Sequence, residues 1–325
     1  IIKTQNLTRN FGILHAVDDL TLTIQEGTIF GFLGPNGAGK TTTIRLLLGI
    51  LEPSSGTAEV LGMDTKRQAD QIRAATGVLL EHDGLYERLS AQNNLSFYAR
   101  VWNMPAATRD ARIQELLGRF GLYDRRKEIV GTWSKGMKRK LAIARAMLHK
   151  PTLLFLDEPT IGLDPQTRDH IWKYIRELKE THDTTIVLTT HYMDEADRFS
   201  DRIGIIDHGK IIALDTPGKL KETLEGDVIT VKAADLQALS ALVAKMGFTK
   251  TRIADGTVEI TVRQGSSVLP RIVETATANG IFIESILLRE PNLEDVFLHY
   301  TGRVIRADSG RELHGFSAVR RRQIK

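Results

Sequence analysis

Apolar and polar residues alternate along residues 2–24, with turn signals at residues 10–12 and at Asp18-Asp19. This period of two predicts antiparallel strands. Short apolar runs follow at residues 29–33 and 78–81, and continuous ones at 152–156 and 185–190. Continuous runs of this length are typical of strands that are buried on both faces of a parallel sheet. The pattern therefore predicts a parallel sheet preceded by antiparallel strands.

Helical spacing replaces these patterns between residues 90 and 146. Ser90 and Ser134 are suited to be N-caps, and Pro151 is predicted to end the helix that begins at Ser134. That helix has an apolar stripe, with basic residues elsewhere on its surface. The helical spacing as a whole predicts a helical insert of about residues 82–148. The stripe is Met137, Leu141, Ala144 and Leu148, and the basic residues are Lys138, Arg139, Lys140 and Arg145.

The pattern changes again at Asp227, where a β-α-β-β-α-β order begins. Its strands are predicted at residues 228–231, 248–253, 258–262 and 281–288, with Asp255-Gly256 as a hairpin turn between the middle two. This order is the split β-α-β unit of ferredoxin-like folds. Residues 226–302 contain no glycine-rich loop and no carboxylate pair at a strand end. We therefore expect an accessory or dimerisation domain rather than a second catalytic unit.

Composition narrows the class of protein. The chain has 325 residues, of which 42% are hydrophobic and 26% charged, as in a globular protein of about two domains. It lacks cysteine, which excludes disulfides and thiolate metal sites. No uncharged apolar run approaches the roughly 18–20 residues that span a bilayer. Part of the net charge of +4 lies in a basic tail, residues 303–325, interpreted as a solvated end or as a contact with anionic lipid.

A glycine-rich turn between the apolar run 29–33 and a helix carries the strongest chemical signal. Gly34, Gly39, Lys40 and Thr41 fill the frame G-x-x-x-x-G-K-[ST]. Glycines let backbone N–H groups turn inward around an anion, and the helix N-terminus adds its positive dipole end. The alternative is a chance turn before a core helix. The predicted nucleotide-binding residues of this segment are Asn36, Gly37, Ala38, Gly39, Lys40, Thr41 and Thr42.

Polar residues at the ends of the two continuous apolar runs supply a second signal. Asp157 and Glu158 follow one run, and His191 follows the other. Two carboxylates at the end of a buried strand are costly unless a cation or a substrate compensates them. A salt bridge and an ordinary buried histidine are the structural alternatives. Because ligands bind at the carboxyl ends of strands in open α/β sheets, function is favoured.

Together these segments resemble the nucleotide-binding subunit of ABC transporters, over about residues 1–220, and the ATPase domain is expected at 1–222. GPNGAGKTT at 34–42 is similar to the Walker A loop, LLFLDEP at 153–159 to Walker B, and GLD at 162–164 to the D-loop. WSKGM at 133–137 occupies the signature position. The C-terminal segment EPNLEDVFLHYTGR, 290–303, resembles the antibiotic- and multidrug-export type. The resemblance implies an α/β P-loop NTPase core with antiparallel β and helical subdomains, followed by the small α+β domain.

Two positions depart from the family pattern. In the signature, usually Leu-Ser-Gly-Gly-Gln, Trp133 replaces leucine, Lys135 the first glycine and Met137 glutamine, whereas Ser134 and Gly136 remain. The strand end that normally carries glutamine has Glu81. A carboxylate there can still bind Mg²⁺. Glutamate at this position also occurs in relatives that export peptide antibiotics.

The resemblance also implies the cofactors and the roles of residues. ATP would bind with its adenine on Phe11, a residue whose aromatic ring would by itself suggest core packing. Glu158 would be the general base and His191 would orient water and the γ-phosphate. A second copy, packed head to tail as a homodimer, would contribute its signature and D-loop. The Mg²⁺ ligands would be Thr41, Glu81 and Asp157, and the residues acting across the dimer Ser134, Lys135, Gly136 and Asp164.

The implied partner is an integral-membrane permease, with the chain at the cytoplasmic face of the membrane and no nucleic acid bound. Two alternatives stay open. One is a soluble ABC ATPase that acts on ribosomes or DNA, although the chain has neither a second ATPase domain nor a long coiled coil. The other is a regulatory module that binds ATP and hardly hydrolyses it, because of Lys135 and Glu81.

Overall fold

A computed structural model describes residues 1–224, 226–254 and 256–301 of the chain. The strands in this part of the chain are β1 Ile2–Phe11, β2 Leu14–Ile24, β3 Ile29–Leu33, β4 Ser55–Val60, β5 Met63–Asp64, β6 Thr76–Leu79, β7 Leu153–Asp157, β8 Thr185–Thr190, β9 Arg202–Asp207, β10 Lys210–Asp215, β11 Asp227–Ala233, β12 Thr251–Ala254, β13 Thr257–Val262 and β14 Ile283–Arg289.

Helices connect and cover these strands. They are α1 Lys40–Leu47, α2 Ala69–Ala75, α3 Ala91–Val101, α4 Ala106–Arg119, α5 Lys135–Ala146, α6 Pro165–His182, α7 Met193–Phe199, α8 Pro217–Glu222, α9 Leu236–Lys245, α10 Gly265–Ala278 and α11 Leu293–Thr301. Among the described residues, no helix has both the length and the apolar character needed to cross a bilayer.

The central sheet has the strand order β10-β9-β3-β8-β7-β6, and β9, β3, β8, β7 and β6 run parallel. Every residue of β3, β7 and β8 is buried, which confirms the predicted parallel sheet. The prediction of a strand over 78–81 was wrong at its end. Pairing with β7 carries the strand from Thr76 to Leu79, so Glu81 lies two residues beyond it.

The predicted antiparallel start is also present, as a sheet of order β2-β1-β4-β5. Asp18-Asp19, predicted to be a turn, lies inside β2 instead. The β1–β2 register shifts there, Asp19 has φ 54°, and Asn6 Nδ2 donates to Asp19 Oδ1 at 2.5 Å. The aspartates therefore form an irregularity of the β-bulge type, which bends a strand without ending it.

Helices α3, α4 and α5 pack together over a core that includes Trp133 and Leu141. Ser90 caps α3 and Ser134 caps α5, each accepting a hydrogen bond from the backbone N–H three residues later, as predicted. Pro151 does not end α5. The helix stops at Ala146, and a turn closed by the hydrogen bond from Lys150 N to Met147 O follows.

The C-terminal sheet has the order β12-β13-β11-β14, with every neighbouring pair antiparallel. A strand from the other unit separates the two strands of each β-α-β unit, so the predicted split topology is observed. The first middle strand begins at Thr251, later than predicted. Asp255 of the hairpin turn and the basic tail 303–325 lie outside the described residues.

Helix α11 leaves this sheet and packs on the first part of the chain, against α7 and α8. Leu293, Val296 and Phe297 of α11 are at most 1% exposed. Their cluster includes Leu33 at the end of β3 and Ala196 of α7. The last described helix thus reaches the strand that precedes the glycine-rich turn.

Candidate nucleotide-binding site

The glycine-rich loop joins the buried strand β3 to α1, the context that the motif requires. Gly39 is the N-cap of α1 and has φ 108°, and a Cβ there would lie 2.3 Å from the carbonyl oxygen of Ala16. A Cβ at Gly34 would lie 2.2 Å from the carbonyl oxygen of Ile206. Backbone from neighbouring segments therefore allows only glycine at these two motif positions.

Lys40, the first residue of α1, is 6% exposed, and its side chain folds back onto the glycine-rich loop. Its Nζ donates to the carbonyl oxygens of Gly34 at 2.7 Å and Pro35 at 3.1 Å, and lies 3.4 Å from Glu158 Oε1. Burial lowers the pKa of Lys40, although the charges of Glu158 and Asp157 oppose this change. A dianionic phosphate in the loop would offset the cost of burying this ammonium group.

Asp157 links the glycine-rich loop to the central sheet. Thr41 Oγ1 donates to Asp157 Oδ2 at 2.9 Å, and Thr189 Oγ1 of β8 donates to Oδ1 at 2.5 Å. Thr189 Oγ1 also accepts from the N–H of Glu158 at 3.0 Å. Helix α1 and strand β8 thus hold the carboxylate at the end of β7, and Asp157 is 1% exposed.

Glu158 and His191 form a hydrogen-bonded pair, with His191 Nδ1 at 2.7 Å from Glu158 Oε2. Burial tends to raise the pKa of Glu158, but the hydrogen bond from His191 and the charge of Lys40 outweigh it, so the pKa lies below its ordinary value. The ionised carboxylate accepts hydrogen bonds and donates none. His191 Nδ1 therefore carries the proton, and Nε2 is left to interact with a ligand.

Lys40, Thr41, Asp157 and Glu158 line a cleft of ≈ 490 Å³, whereas His191 lies in the wall of a second cavity, beside Tyr192. Phe11 is 44% exposed at the rim of the cleft, and the guanidinium of Arg9 lies 4.7 Å from the ring centroid. The prediction that Glu81 joins this site stays a prediction, and its exposed side chain lies in the cleft wall. The predicted residues that line the cleft are Phe11, Asn36, Gly37, Ala38, Gly39, Lys40, Thr41, Thr42, Glu81, Asp157 and Glu158.

The predicted signature and D-loop residues lie outside the cleft lining. Ser134 is exposed and accepts a hydrogen bond from Met137 N at 3.3 Å. Lys135 reaches across to the D-loop, because a Cβ on Gly162 would lie 2.5 Å from its Nζ. Asp164 is exposed and caps α6 by accepting from Thr167 N at 2.9 Å. These residues form a separate surface of the same chain.

Sequence reasoning missed three residues that support the site. Thr189 was a polar position inside an apolar run, which was a usable signal. Arg139 was one of several basic residues off the apolar stripe of α5, yet it is 4% exposed. Glu195 of α7 is 2% exposed and accepts from Thr160 Oγ1 at 2.8 Å. Burial raises the pKa of Glu195. No local pattern around Arg139 or Glu195 indicates that these charged side chains are buried.

The side chains near Asp157 fit Mg²⁺ bound together with a nucleotide. Within the described ranges, no group of three or more His, Cys, Asp or Glu side chains could hold a metal ion without other ligands. Mg²⁺ commonly takes one or two carboxylates and completes its coordination with substrate phosphates and water. The Thr41 hydroxyl and the Asp157 carboxylate, 2.9 Å apart, are oxygen ligands of this kind.

Comparison with known proteins agrees with the geometry. The family described as ABC transporter matches residues 17–161, and the family described as ATP-binding protein DrrA1-3-like, C-terminal domain, matches residues 216–301. The daunorubicin resistance ATP-binding protein DrrA3 of Streptomyces coeruleorubidus is 39% identical over 303 residues, 93% of this chain and 96% of that protein. The chain belongs to the ABC transporter family of ATP-binding proteins.

Other ABC proteins extend this similarity. The linearmycin resistance ATP-binding protein LnrL of Bacillus subtilis (strain 168) is 35% identical over 94% of this chain and 100% of its own length. Among solved structures, the ABC cassette MJ0796, a dimer in a post-hydrolysis state bound to ADP and Pi, superposes with a TM-score of 0.61. It is 25% identical and covers 66% of this chain and 98% of its own. The resemblance to ABC ATPases seen in the motifs is therefore confirmed over the fold.

Proposed function

We propose that this chain hydrolyses ATP to drive a separate membrane permease that exports a drug, an antibiotic peptide or a lipid-like compound. The observation that carries the proposal is that Lys40, Thr41, Asp157 and Glu158 line one cleft, and that His191 is hydrogen-bonded to Glu158. A glycine-rich loop that binds phosphates thereby faces a paired base and histidine. This is the arrangement that phosphoryl transfer to water requires.

ATP binding uses the loop and the exposed aromatic ring. Phe11 offers one face to adenine, while Arg9 lies against the ring. The β- and γ-phosphates would lie at the N-terminus of α1, where the helix dipole and the Lys40 ammonium favour negative charge. The residues for this step are Phe11, Asn36, Gly37, Ala38, Gly39, Lys40, Thr41 and Thr42.

Hydrolysis uses Glu158 as the general base. Its pKa is low, so the carboxylate is ionised at neutral pH and can accept a proton from a water molecule. His191 is held through Nδ1, which leaves Nε2 to orient that water or the γ-phosphate. Thr41, Asp157 and Glu81 would hold Mg²⁺, which when bound neutralises phosphate charge. The rest of the step is positioning by these side chains, with no covalent intermediate.

A second copy of the chain would complete the site. Ser134, Lys135, Gly136 and Asp164 lie on an exposed surface outside their own chain's cleft, which supports their use by a partner packed head to tail. The N-terminus of α5, with Ser134 and Lys135, would then face the γ-phosphate held by the other copy. Its negative charge would hold the two copies together, and hydrolysis would release them.

The permease would dock on an aromatic patch of the helical region. The patch consists of Tyr86, Phe97 and Val101, which are 47%, 42% and 60% exposed. The rings of Tyr86 and Phe97 are 4.9 Å apart, and Phe97 and Val101 are one helical turn apart on α3. Tyr86 is close in sequence to Glu81, so a permease docked here would lie near the loop that contributes Glu81 to the cleft wall. This assignment puts the chain at the cytoplasmic face of a membrane.

The export direction follows the relatives, whose names refer to resistance to daunorubicin and linearmycin. We also propose that residues 1–222, with a helical subdomain over about 82–148, are the ATPase domain. Residues 226–302 would be an accessory domain and 303–325 a basic tail.

Steady-state release of phosphate by the purified chain tests the enzyme assignment. We expect ATP-dependent turnover that requires Mg²⁺ and rises steeply with protein concentration, because two copies form each site. ATP binding without turnover would instead support a regulatory module. Failure to bind ATP would refute the proposal.

Association with a membrane subunit tests the permease assignment. We expect Phe97→Asp to prevent copurification with the permease, whereas Gln92→Asp, at an exposed position on another face of the same helix, should leave it intact. Copurification with ribosomes or nucleic acid instead would favour a soluble ABC ATPase.

A further inference from the structure

Arg139 of the signature helix α5 contacts the end of β7. Its Nη2 donates to the carbonyl oxygens of Asp157 at 2.8 Å and Glu158 at 2.6 Å, and its Nε donates to that of Pro159 at 3.1 Å. Three consecutive carbonyl groups of the segment that carries the catalytic carboxylates are therefore bound by one side chain. At 4% exposure, the guanidinium is largely removed from water.

The other side of the same guanidinium contacts the loop that follows β6. Nη1 donates to Asp83 Oδ1 at 2.9 Å and to the carbonyl oxygen of Leu80 at 3.3 Å. Leu80 and Asp83 flank Glu81, which lies in the wall of the nucleotide cleft. Arg139 is thus a direct hydrogen-bonded connection between the Glu81 loop and the Glu158 segment.

The backbone at Glu158 needs such support. Glu158 has φ 49°, in the left-handed region, a conformation that costs a non-glycine residue energy and persists only where its surroundings hold it. Thr189 Oγ1 accepts a hydrogen bond from the N–H of Glu158, and Arg139 Nη2 donates one to its carbonyl oxygen. The direction of the Glu158 side chain toward Lys40 and His191 depends on this backbone conformation.

Two other basic residues of α5 also bind the loop after β6, but their contacts with it do not extend to the end of β7. Arg145 Nη1 donates to the carbonyl oxygen of Gly84 at 3.5 Å, and Lys138 Nζ lies 2.6 Å from Glu87 Oε1. The loop is therefore fixed to α5 at several points. A shift of the loop relative to the helix would therefore displace the Arg139 side chain, and with it the end of β7.

We propose that Arg139 is a positioning residue that orients Glu158 for hydrolysis and couples it to the loop bearing Glu81. The proposal rests on the ATPase function assigned above. A guanidinium suits this role because its five donors have a fixed planar geometry, which the point charge of a lysine cannot reproduce.

Steady-state hydrolysis and ATP titration of the purified chain test the proposal, using Arg139→Met, Arg139→Lys and Asp83→Asn. We expect Arg139→Met to lower kcat by about 10²-fold, the cost of misplacing a catalytic group by about an ångström. The affinity and stoichiometry of ATP binding should stay at wild-type values, because Arg139 does not contact the glycine-rich loop. Arg139→Lys should restore part of kcat, and Asp83→Asn should lower it less than Arg139→Met. Lys140→Met, the next residue of α5, is the control.

A second measurement does not depend on turnover. Hydrogen exchange of the nucleotide-free protein should quicken in residues 157–161 and 80–84 of the Arg139→Lys variant, with other segments unchanged. This comparison also decides the case if Arg139→Met does not fold.

The outcomes separate the two proposals. If the wild type hydrolyses ATP while Arg139→Lys and Asp83→Asn match it in kcat and exchange, only the role of Arg139 is refuted. If Arg139→Lys loses kcat only in proportion to its ATP-binding stoichiometry, the role is refuted too, because Arg139 would then serve folding and not the orientation of Glu158. If the wild type does not hydrolyse ATP, the proposed function fails, and this inference fails with it.

Discussion

At the end of β7, Asp157 is buried and Glu158 is half-buried, and the two receive hydrogen bonds from α1, β8 and His191. At the start of α5, Ser134 and Lys135 are exposed, and the Ser134 hydroxyl accepts a bond from its own helix. One chain therefore supplies all the residues of the proposed base and phosphate-binding side, here called the completed side. Ser134 and Lys135, proposed to act on a second copy, lie on a different surface of the chain. Mutations in the two regions should therefore affect ATP binding and hydrolysis differently.

Glu158→Gln should have the largest effect, on the completed side. We expect phosphate release to slow by about 10³-fold, since a positioned general base contributes about 10²–10⁴. The amide has the same shape, so ATP should still bind and ATP-dependent dimers should still form, as measured by light scattering. Undiminished hydrolysis would refute Glu158 as the base.

Lys40→Ala should weaken ATP binding by about 10- to 100-fold, because hydrogen bonds to charged groups contribute about 1.5–3 kcal/mol. A nucleotide titration by fluorescence measures this change. Lys66→Ala, at an exposed position, is the control and should bind ATP normally. Equal affinity in the two variants would contradict the phosphate-loop assignment.

Ser134→Ala tests the exposed side, with Ser90→Ala as a matched control. Each serine is the N-cap of its helix, so each alanine should lower the free energy of unfolding by about 1 kcal/mol. Only Ser134→Ala should also reduce ATP-dependent dimerisation and hydrolysis, while ATP affinity of the monomer stays unchanged. If the two variants dimerise alike, Ser134 is a helix cap and no more.

Glu81→Ala should raise the Mg²⁺ concentration for half-maximal hydrolysis several-fold, since one of the proposed carboxylate ligands is lost. The maximal rate at saturating Mg²⁺ should change less. A Mg²⁺ titration of activity separates the two quantities. An unchanged half-maximal concentration would leave Glu81 with a role in the loop rather than at the metal.

Glu195→Gln should have the smallest effect, which is on the pH dependence of the protein's stability. Burial raises the pKa of Glu195 above its ordinary value of 4.5, so the folded protein binds this proton more tightly than the unfolded chain. Its contribution to stability is present below the unfolded pKa and is lost as pH rises through the folded pKa. Melting temperatures at about pH 5 and about pH 8 should therefore differ less in Glu195→Gln than in the wild type. Glu222→Gln, at an exposed position, should behave as the wild type.

The sequence predicted the completed side of the site because its residues follow local rules. Gly39 needs a positive φ, and Asp157 and His191 follow buried strands, so their convergence is a consequence of parallel pairing. The supporting residues did not follow such rules. Arg139 has the same helical spacing as the basic residues beside it, and its burial depends on β7 and the loop after β6, which are distant in sequence. Asp19 was mistaken for a turn residue because bulges and turns favour the same residue types.

Helix α11 has a practical consequence for anyone who shortens the gene. A polypeptide that stops after α8 would lose Leu293, Val296 and Phe297, and would uncover part of the apolar cluster to which Leu33 and Ala196 belong. Each of those three side chains contributes about 1.5–3 kcal/mol when covered. Such a truncated protein should aggregate. An expressed polypeptide should therefore extend through residue 301.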